Sequence, residues 1–235
     1  NDHKRQSAPN ASKRRSVKIP ISNIMASPMI WGTLIVAFCY NYFTFYCMTW
    51  MPSYLVEQRG LSLERSGIYT AFSFGGIAIV SLLAGLAGDW LINRGGDAVR
   101  VRKTFVVIGL LGGATVVLGA QAQTIGMALF WNVFSLSFAG LATANNLALC
   151  RITLVPAPIV GVVTGIQQIA TALAGIVAPI LSGWLLQTSG SYDLPMKAIF
   201  VFLLIGTGAT IVLLRREWAP QLPEEEEREA QAQAV

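Results

Sequence analysis

The chain has 235 residues, of which 54% are apolar and 12% charged, and its net charge is +5. Soluble domains carry about 25% charged residues, and a soluble fold of this size could not cover so much apolar surface. The composition therefore excludes a soluble enzyme, a nucleic-acid binder and a disordered chain, and it points to an integral membrane protein. It also narrows the chemistry. The single His is His3, and Cys39, Cys47 and Cys150 form no CxxC pair. Zinc, haem and iron–sulfur sites need more ligands than these, so no cofactor or metal is expected.

Residues 1–20 are polar and basic, with Lys4, Arg5, Lys13, Arg14, Arg15 and Lys18. They read as a basic cytoplasmic linker. The chain starts at Asn1, and it is expected to be a piece of a longer protein. Six apolar segments follow, at about 29–51, 67–90, 104–122, 124–149, 158–187 and 197–214. Each is close to the roughly 20 residues that a bilayer demands. Residues 21–217 are thus read as one six-helix transmembrane domain. Residues 218–235, with the block Glu224–Glu227, read as an acidic disordered cytoplasmic tail.

The first segment carries Asn41, Tyr42, Tyr46 and Thr49. The last three recur at i, i+4 and i+7 and share one helix face, with Asn41 beside it. Lipid offers an amide no partner, so Asn41 should face protein or a polar cavity. An interfacial aromatic belt is the alternative, and it suits Trp50 and Tyr54 better than the mid-segment residues. Pro52 should end or kink this helix.

The loop after the second segment contains Gly85, Gly88, Asp89 and Arg94. Asp89, at a helix end, can pair with Arg94 or with a neighbouring helix N-terminus. The loop lacks the spacing of a phosphate-binding P-loop. The fourth segment holds Thr143, Asn145 and Asn146, and the fifth holds Thr164, Gln167, Gln168 and Thr171. Such residues either join helices by hydrogen bonds or line a polar cavity. No Asp, Glu, Lys or Arg lies well inside any segment. Enzymatic chemistry in the membrane needs a nucleophile–base pair or a metal, and none is evident.

About 14 of the 17 Lys and Arg fall in the leader, the loop Asp89–Lys103, Arg151 and the tail. That asymmetry places both termini in the cytoplasm. Shifting the sequence by 94 positions lays the second and third segments on the fifth and sixth. Gly67 then meets Gly161, Trp90 meets Trp184 and Lys103 meets Lys197. Three helices per repeat is an odd number, so the two triplets should be inserted in opposite senses. Inverted triplets are a transporter signature.

These residues resemble the C-terminal half of a major facilitator superfamily transporter. Gly85-x-x-x-Asp89 with Arg94 and Gly95 resembles the superfamily's loop motif, although Trp90 stands where a basic residue is usual. Asn41-Tyr-x-x-x-Tyr46 followed by Thr49-Trp-x-Pro-x-Tyr-Leu55 resembles the anion:cation symporter family. So do Gly161-x-x-x-Gly-Ile166 and Gly175-Ile-x-x-Pro179-x-x-x-Gly183. The resemblance implies an all-α membrane protein of two inverted three-helix repeats. It implies alternating-access transport of a small organic anion, of sugar-acid, tartrate or phthalate type, with protons as coupling ion. It makes Asn41, Tyr42, Tyr46, Thr143, Asn145, Asn146 and Gln168 substrate-binding, and Gly85, Gly88, Asp89 and Arg94 a conformational loop motif. The implied partners are an N-terminal six-helix half and the bilayer of the cell membrane. A half-size transporter that pairs with itself, and a non-transporting membrane subunit, are the alternatives.

Overall fold

The computed structural model describes residues 21–220. The linker expected at 1–20 and the tail from 221 onward lie outside the described residues. Six helices are long and apolar enough to cross a membrane. They are α1 (Pro28–Thr49), α2 (Leu63–Asn93), α3 (Ala98–Ala114, continued by Val116–Gln121), α4 (Ile125–Ala148), α5 (Val160–Ser189) and α6 (Asp193–Leu213). Hydropathy located all six, but the helices run past the apolar stretches into charged sequence. α3 starts at Ala98 and takes in Arg100, Arg102 and Lys103. Backbone hydrogen bonding continues through the headgroup layer, where side-chain hydropathy no longer marks it.

α1 and α4 are central. α2 packs chiefly on α4 and α5 on α1, while α3 lies on α4 and α6 on α1, with α3 and α6 touching each other. Exchanging α1–α3 for α4–α6 leaves this pattern unchanged, as the inverted repeat requires. The correspondence extends to irregular backbone. α1 runs through Met51–Ser53 into a π-helical turn at Tyr54–Gln58, and α4 runs into one at Leu149–Leu154. The turns that follow α2 and α5 contain Gly95 and Gly190, both at positive φ. Only glycine enters that region without steric cost.

The ends of the two outer helices are capped by cations from elsewhere in the chain. Arg59 donates to the carbonyls of Gly119, Ala120 and Ala122 at the end of α3, at 2.7–3.0 Å. On the other side, Lys103 donates to Ile211 and Leu214 at the end of α6. Each satisfies carbonyls that have no partner in their own helix. Beyond the end of α1, Tyr192 donates to Glu57 at 2.8 Å. Burial, with the Glu57 carboxylate beside it, pushes the Tyr192 hydroxyl up to about 12.

Close helix approach depends on glycine. A Cβ at Gly140 would lie 2.7 Å from the Ile77 carbonyl and 2.8 Å from the Ser81 hydroxyl on α2. A Cβ at Gly109 would collide with the backbone of α4 at Phe138 and Ala142. Gly175 and Gly183 give room to the Phe45 ring and to Trp50, whose Nε1 donates to the Pro179 carbonyl. Gly140→Ala and Gly109→Ala should each cost about 1–3 kcal/mol of stability, because backbone blocks their added methyls. Gly67→Ala, in open space, should cost nothing. Thermal unfolding of the purified variants measures the difference.

Candidate functional site

Burial divides the helices into two kinds. In the most apolar window of α1, 61% of residues are buried, against 17% for α2 and 22% for α5. α2 and α5 thus present long open apolar faces, with Ile169, Leu173, Ile176, Ile180 and Trp184 exposed along α5. Polar side chains collect where α1, α4 and α5 meet.

The group is Thr33, Tyr40 and Asn41 from α1, Asn146 from α4, Cys150 from the π turn, and Gln167 and Thr171 from α5. Asn41 Nδ2 donates to the Ala37 carbonyl at 2.8 Å and to Thr171 Oγ1 at 3.2 Å. Tyr40 lies beside Asn146 and Asn41, and Cys150 lies beside Gln167 and Thr33. The Cys150 thiol donates weakly to Asn146 Oδ1 at 3.7 Å. Tyr40, Asn146, Cys150 and Gln167 are all buried.

Several polar atoms there have no protein partner: Asn146 Nδ2, Gln167 Nε2, Gln167 Oε1 and, in the adjoining turn, Arg151 Nε. Leaving one such atom unmet costs about 1–3 kcal/mol. The neighbouring Tyr40 hydroxyl and Cys150 thiol, after a small rotation, or water or a bound solute can meet them. Arg151 lies near Tyr40 and Cys150, so a cation borders the cluster. Neutral amide donors beside a guanidinium suit the oxygens of an anion.

The structure brings together Asn41 and Asn146 from the sequence-derived set. It places the others differently. Tyr42 donates to or accepts from Ser182 at 3.0 Å and packs on Phe202 of α6, with ring centroids 4.5 Å apart. Tyr46 is fully buried on the same face, and its hydroxyl has no partner. Thr143 is half-buried, and its hydroxyl donates to the Ala139 carbonyl. Gln168 is exposed. Tyr40 and Cys150 were not singled out as site residues by sequence, and Gln167 was noted as a cavity-lining or helix-joining amide but not placed among the substrate-binding residues. Gln167 shares its face with Val163, Ala170, Ala174 and Ala178. That stripe of small residues on α5 was the available signal.

Asn145 points elsewhere. Its Oδ1 is buried without a partner, and a Cβ at Gly88 would lie 3.1 Å from it. Gly88 precedes Asp89, which pairs with Arg102 on α3 at 2.7 Å. The Arg102 side chain is only 8% exposed, whereas Asp89 is 61% exposed. Arg94 instead stacks on Trp90, 3.9 Å above the ring. Gly85 is half-buried with no neighbour close to a notional Cβ. The loop is tied further by Asp97, which caps α3 through the Arg100 N–H at 2.8 Å and pairs with Arg216 at 2.9 Å. The Arg100 N–H holds the Asp97 carboxyl below its usual value.

No protein-family model matches the chain. Among curated proteins it is 30% identical over 210 residues to "Probable galactarate/D-glucarate transporter GudP" of Escherichia coli strain K12, covering 84% of this chain and 45% of that protein. It is 27% identical over 186 residues to "Probable sulfoacetate transporter SauU" of Cupriavidus necator, covering 78% and 43%. It is 30% identical over 203 residues to "Sodium-dependent phosphate transport protein 1, chloroplastic" of Arabidopsis thaliana, covering 84% and 38%. Among solved structures, the peptide transporter POT in complex with sulfate superposes with a TM-score of 0.63 at 16% identity, over 89% of this chain and 44% of that one. The chain is a six-helix half of the major facilitator fold. It spans less than half the length of each of these relatives. In this major facilitator half the match falls on the C-terminal part of the relatives, which are anion and sugar-acid transporters.

Loss of Asp89 would leave the buried Arg102 charge unpaired, whereas Arg94 sits on an exposed ring. Asp89→Asn should cost about 2 kcal/mol, below the value for a fully buried pair because Asp89 is solvated. Arg94→Ala should cost less than about 1 kcal/mol. Denaturant titration of the two variants checks the ranking.

Proposed function

We propose that the protein is a secondary transporter of a small organic anion, of the sugar-acid class, and that this chain forms its C-terminal half. The cluster between α1, α4 and α5 binds the anion's oxygens. Asn146 Nδ2, Gln167 Nε2 and the Tyr40 hydroxyl donate, and Arg151 supplies the favourable field. The observation that carries this reading is the set of buried, partnerless amide atoms beside one guanidinium. The names of the relatives support the anionic class.

The cluster is closed to solvent in this structure, because Tyr40, Asn146 and Gln167 are at most 4% exposed. A solute reaches it only if the packing of α1, α4 and α5 opens during the cycle. A second six-helix half completes the pathway on the open faces of α2 and α5. The side holding the loop Asp89–Lys103 is cytoplasmic, by its excess of cations. Asp89, Arg102 and Asn145 form a latch between α2, α3 and α4 that holds one state of the cycle.

Among the described residues the acids of the spans, Glu64, Asp89 and Asp193, stand at helix ends and none lies in a span's interior. A proton-coupled cycle therefore takes its titrating group from outside this half. In the whole transporter, Asn146→Ala and Gln167→Ala should each raise KM for a sugar acid about tenfold, the loss of one charge-assisted hydrogen bond. Gln168→Ala should change KM less than about twofold. Uptake into vesicles should follow an imposed pH gradient and ignore a sodium gradient. Unchanged kinetics in both amide variants would remove the cluster from the site, and sodium-driven uptake would overturn the proton.

A further inference from the structure

Two cavities on the side remote from the termini are unused by this reading, and they adjoin one another. The first is a groove of about 530 Å³ between α2 and α4, lined by Tyr69, Leu129, Phe130, Phe134 and Phe138. Its wall is a continuous aromatic ladder. Phe130 and Phe134 stack at 5.7 Å, and Phe134 and Phe138 lie 4.3 Å apart. The second cavity, of about 450 Å³, is polar and lined by Ser62, Glu64, Arg65, Tyr69 and Leu129. Tyr69 and Leu129 belong to both.

The depths are informative. The polar cavity sits at the starts of α2 and α4, at headgroup level. From Gly126 to Phe138, α4 rises about 18 Å at 1.5 Å per residue, and one leaflet's hydrocarbon is about 15 Å thick. The apolar groove thus runs the length of an acyl chain beneath a polar pocket. Tyr69 at the junction offers a ring to the chain and a hydroxyl to the headgroup layer.

The charges in the polar pocket define its occupant. Arg65 and Glu64 both line it, and among the described residues neither has an ion pair. A cation and an anion side by side complement a zwitterion whose two charges are one short linker apart. Arg65 suits a phosphate, which it can bind in bidentate fashion. Glu64 suits an ammonium group that can donate hydrogen bonds.

We propose that this groove is a binding site for one phospholipid with a phosphoethanolamine headgroup, its phosphate on Arg65, its ammonium on Glu64 and an acyl chain along the Phe130–Phe138 ladder. The site is independent of the transported solute.

Native mass spectrometry of the purified protein, titrated with dioleoyl phosphatidylethanolamine, phosphatidylcholine and phosphatidylglycerol, tests it. One phosphatidylethanolamine should bind ahead of the other two. Phosphatidylcholine cannot donate to Glu64, and phosphatidylglycerol lacks the cation. Arg65→Gln should weaken phosphatidylethanolamine about tenfold, the worth of one charge-assisted contact. Glu64→Gln should erase the preference over phosphatidylglycerol. A Cβ at Gly126 meets nothing within 4 Å, so Gly126→Trp enters the groove without a clash at its Cβ, and it should weaken all three lipids. Equal binding of the three lipids to the unaltered protein, as in a non-specific annulus, would overturn the proposal. So would unchanged phosphatidylethanolamine binding in Arg65→Gln and Gly126→Trp variants that melt normally.

Discussion

A polar atom inside a bilayer has no water to turn to, and this constraint organises the whole molecule. Backbone groups are satisfied within helices, and where helices end, the cations Arg59 and Lys103 reach across to take up the last carbonyls. Most intramembrane hydroxyls return their proton to the carbonyl one turn back, as Thr44, Thr143 and Thr207 do. After this sorting, few partnerless atoms remain, and they concentrate on α4 and the helices beside it. Asn132 leaves both amide atoms unmet near Gly119 of α3, Asn145 leaves its oxygen near Gly88, and Asn146 and Gln167 leave theirs between α1, α4 and α5. Of these, the amides of Asn146 and Gln167 are the ones the proposed function assigns to the transported solute.

Internal symmetry explains where that set falls. The central helices α1 and α4 correspond under the inverted repeat, and both end in a π-helical turn. A π turn widens the helix and changes the phase of the side chains that follow. After α1 it carries Tyr54 towards the end of α3, where Tyr54 and Arg59 hold the Gly119 carbonyl. After α4 it carries Cys150 and Arg151 towards Tyr40 and Gln167. One backbone device thus makes a structural cap on one side of the membrane and borders the polar cluster on the other.

Much of the fold was legible in the sequence. Six apolar runs, the cation bias and the 94-residue offset gave the number of helices, their relation and the pairing of the second and third with the fifth and sixth. The likeness of α1 to α4 was not legible, because it lies in backbone geometry rather than in residue identity. The site was harder to read. Periodicity correctly placed Tyr42 and Tyr46 on one face of α1, but it does not say which neighbour a face meets, and Tyr42 on that face meets Ser182 of α5 and Phe202 of α6. On α5 the resemblance selected Gln168, whereas the small residues Ala170, Ala174 and Ala178 mark the packed face that holds Gln167. Asp89 has a near neighbour in Arg94, yet it pairs with Arg102, because the loop folds back and the phase of α3 turns Arg102 inward. Proximity along the chain misled where two helices met across a turn.

A structure of the whole transporter with a bound sugar acid tests the central claim most directly. A carboxylate or hydroxyl oxygen should lie about 3 Å from both Asn146 Nδ2 and Gln167 Nε2, with Arg151 turned towards it. A solute bound elsewhere, with these amides bridged only by water, would contradict it.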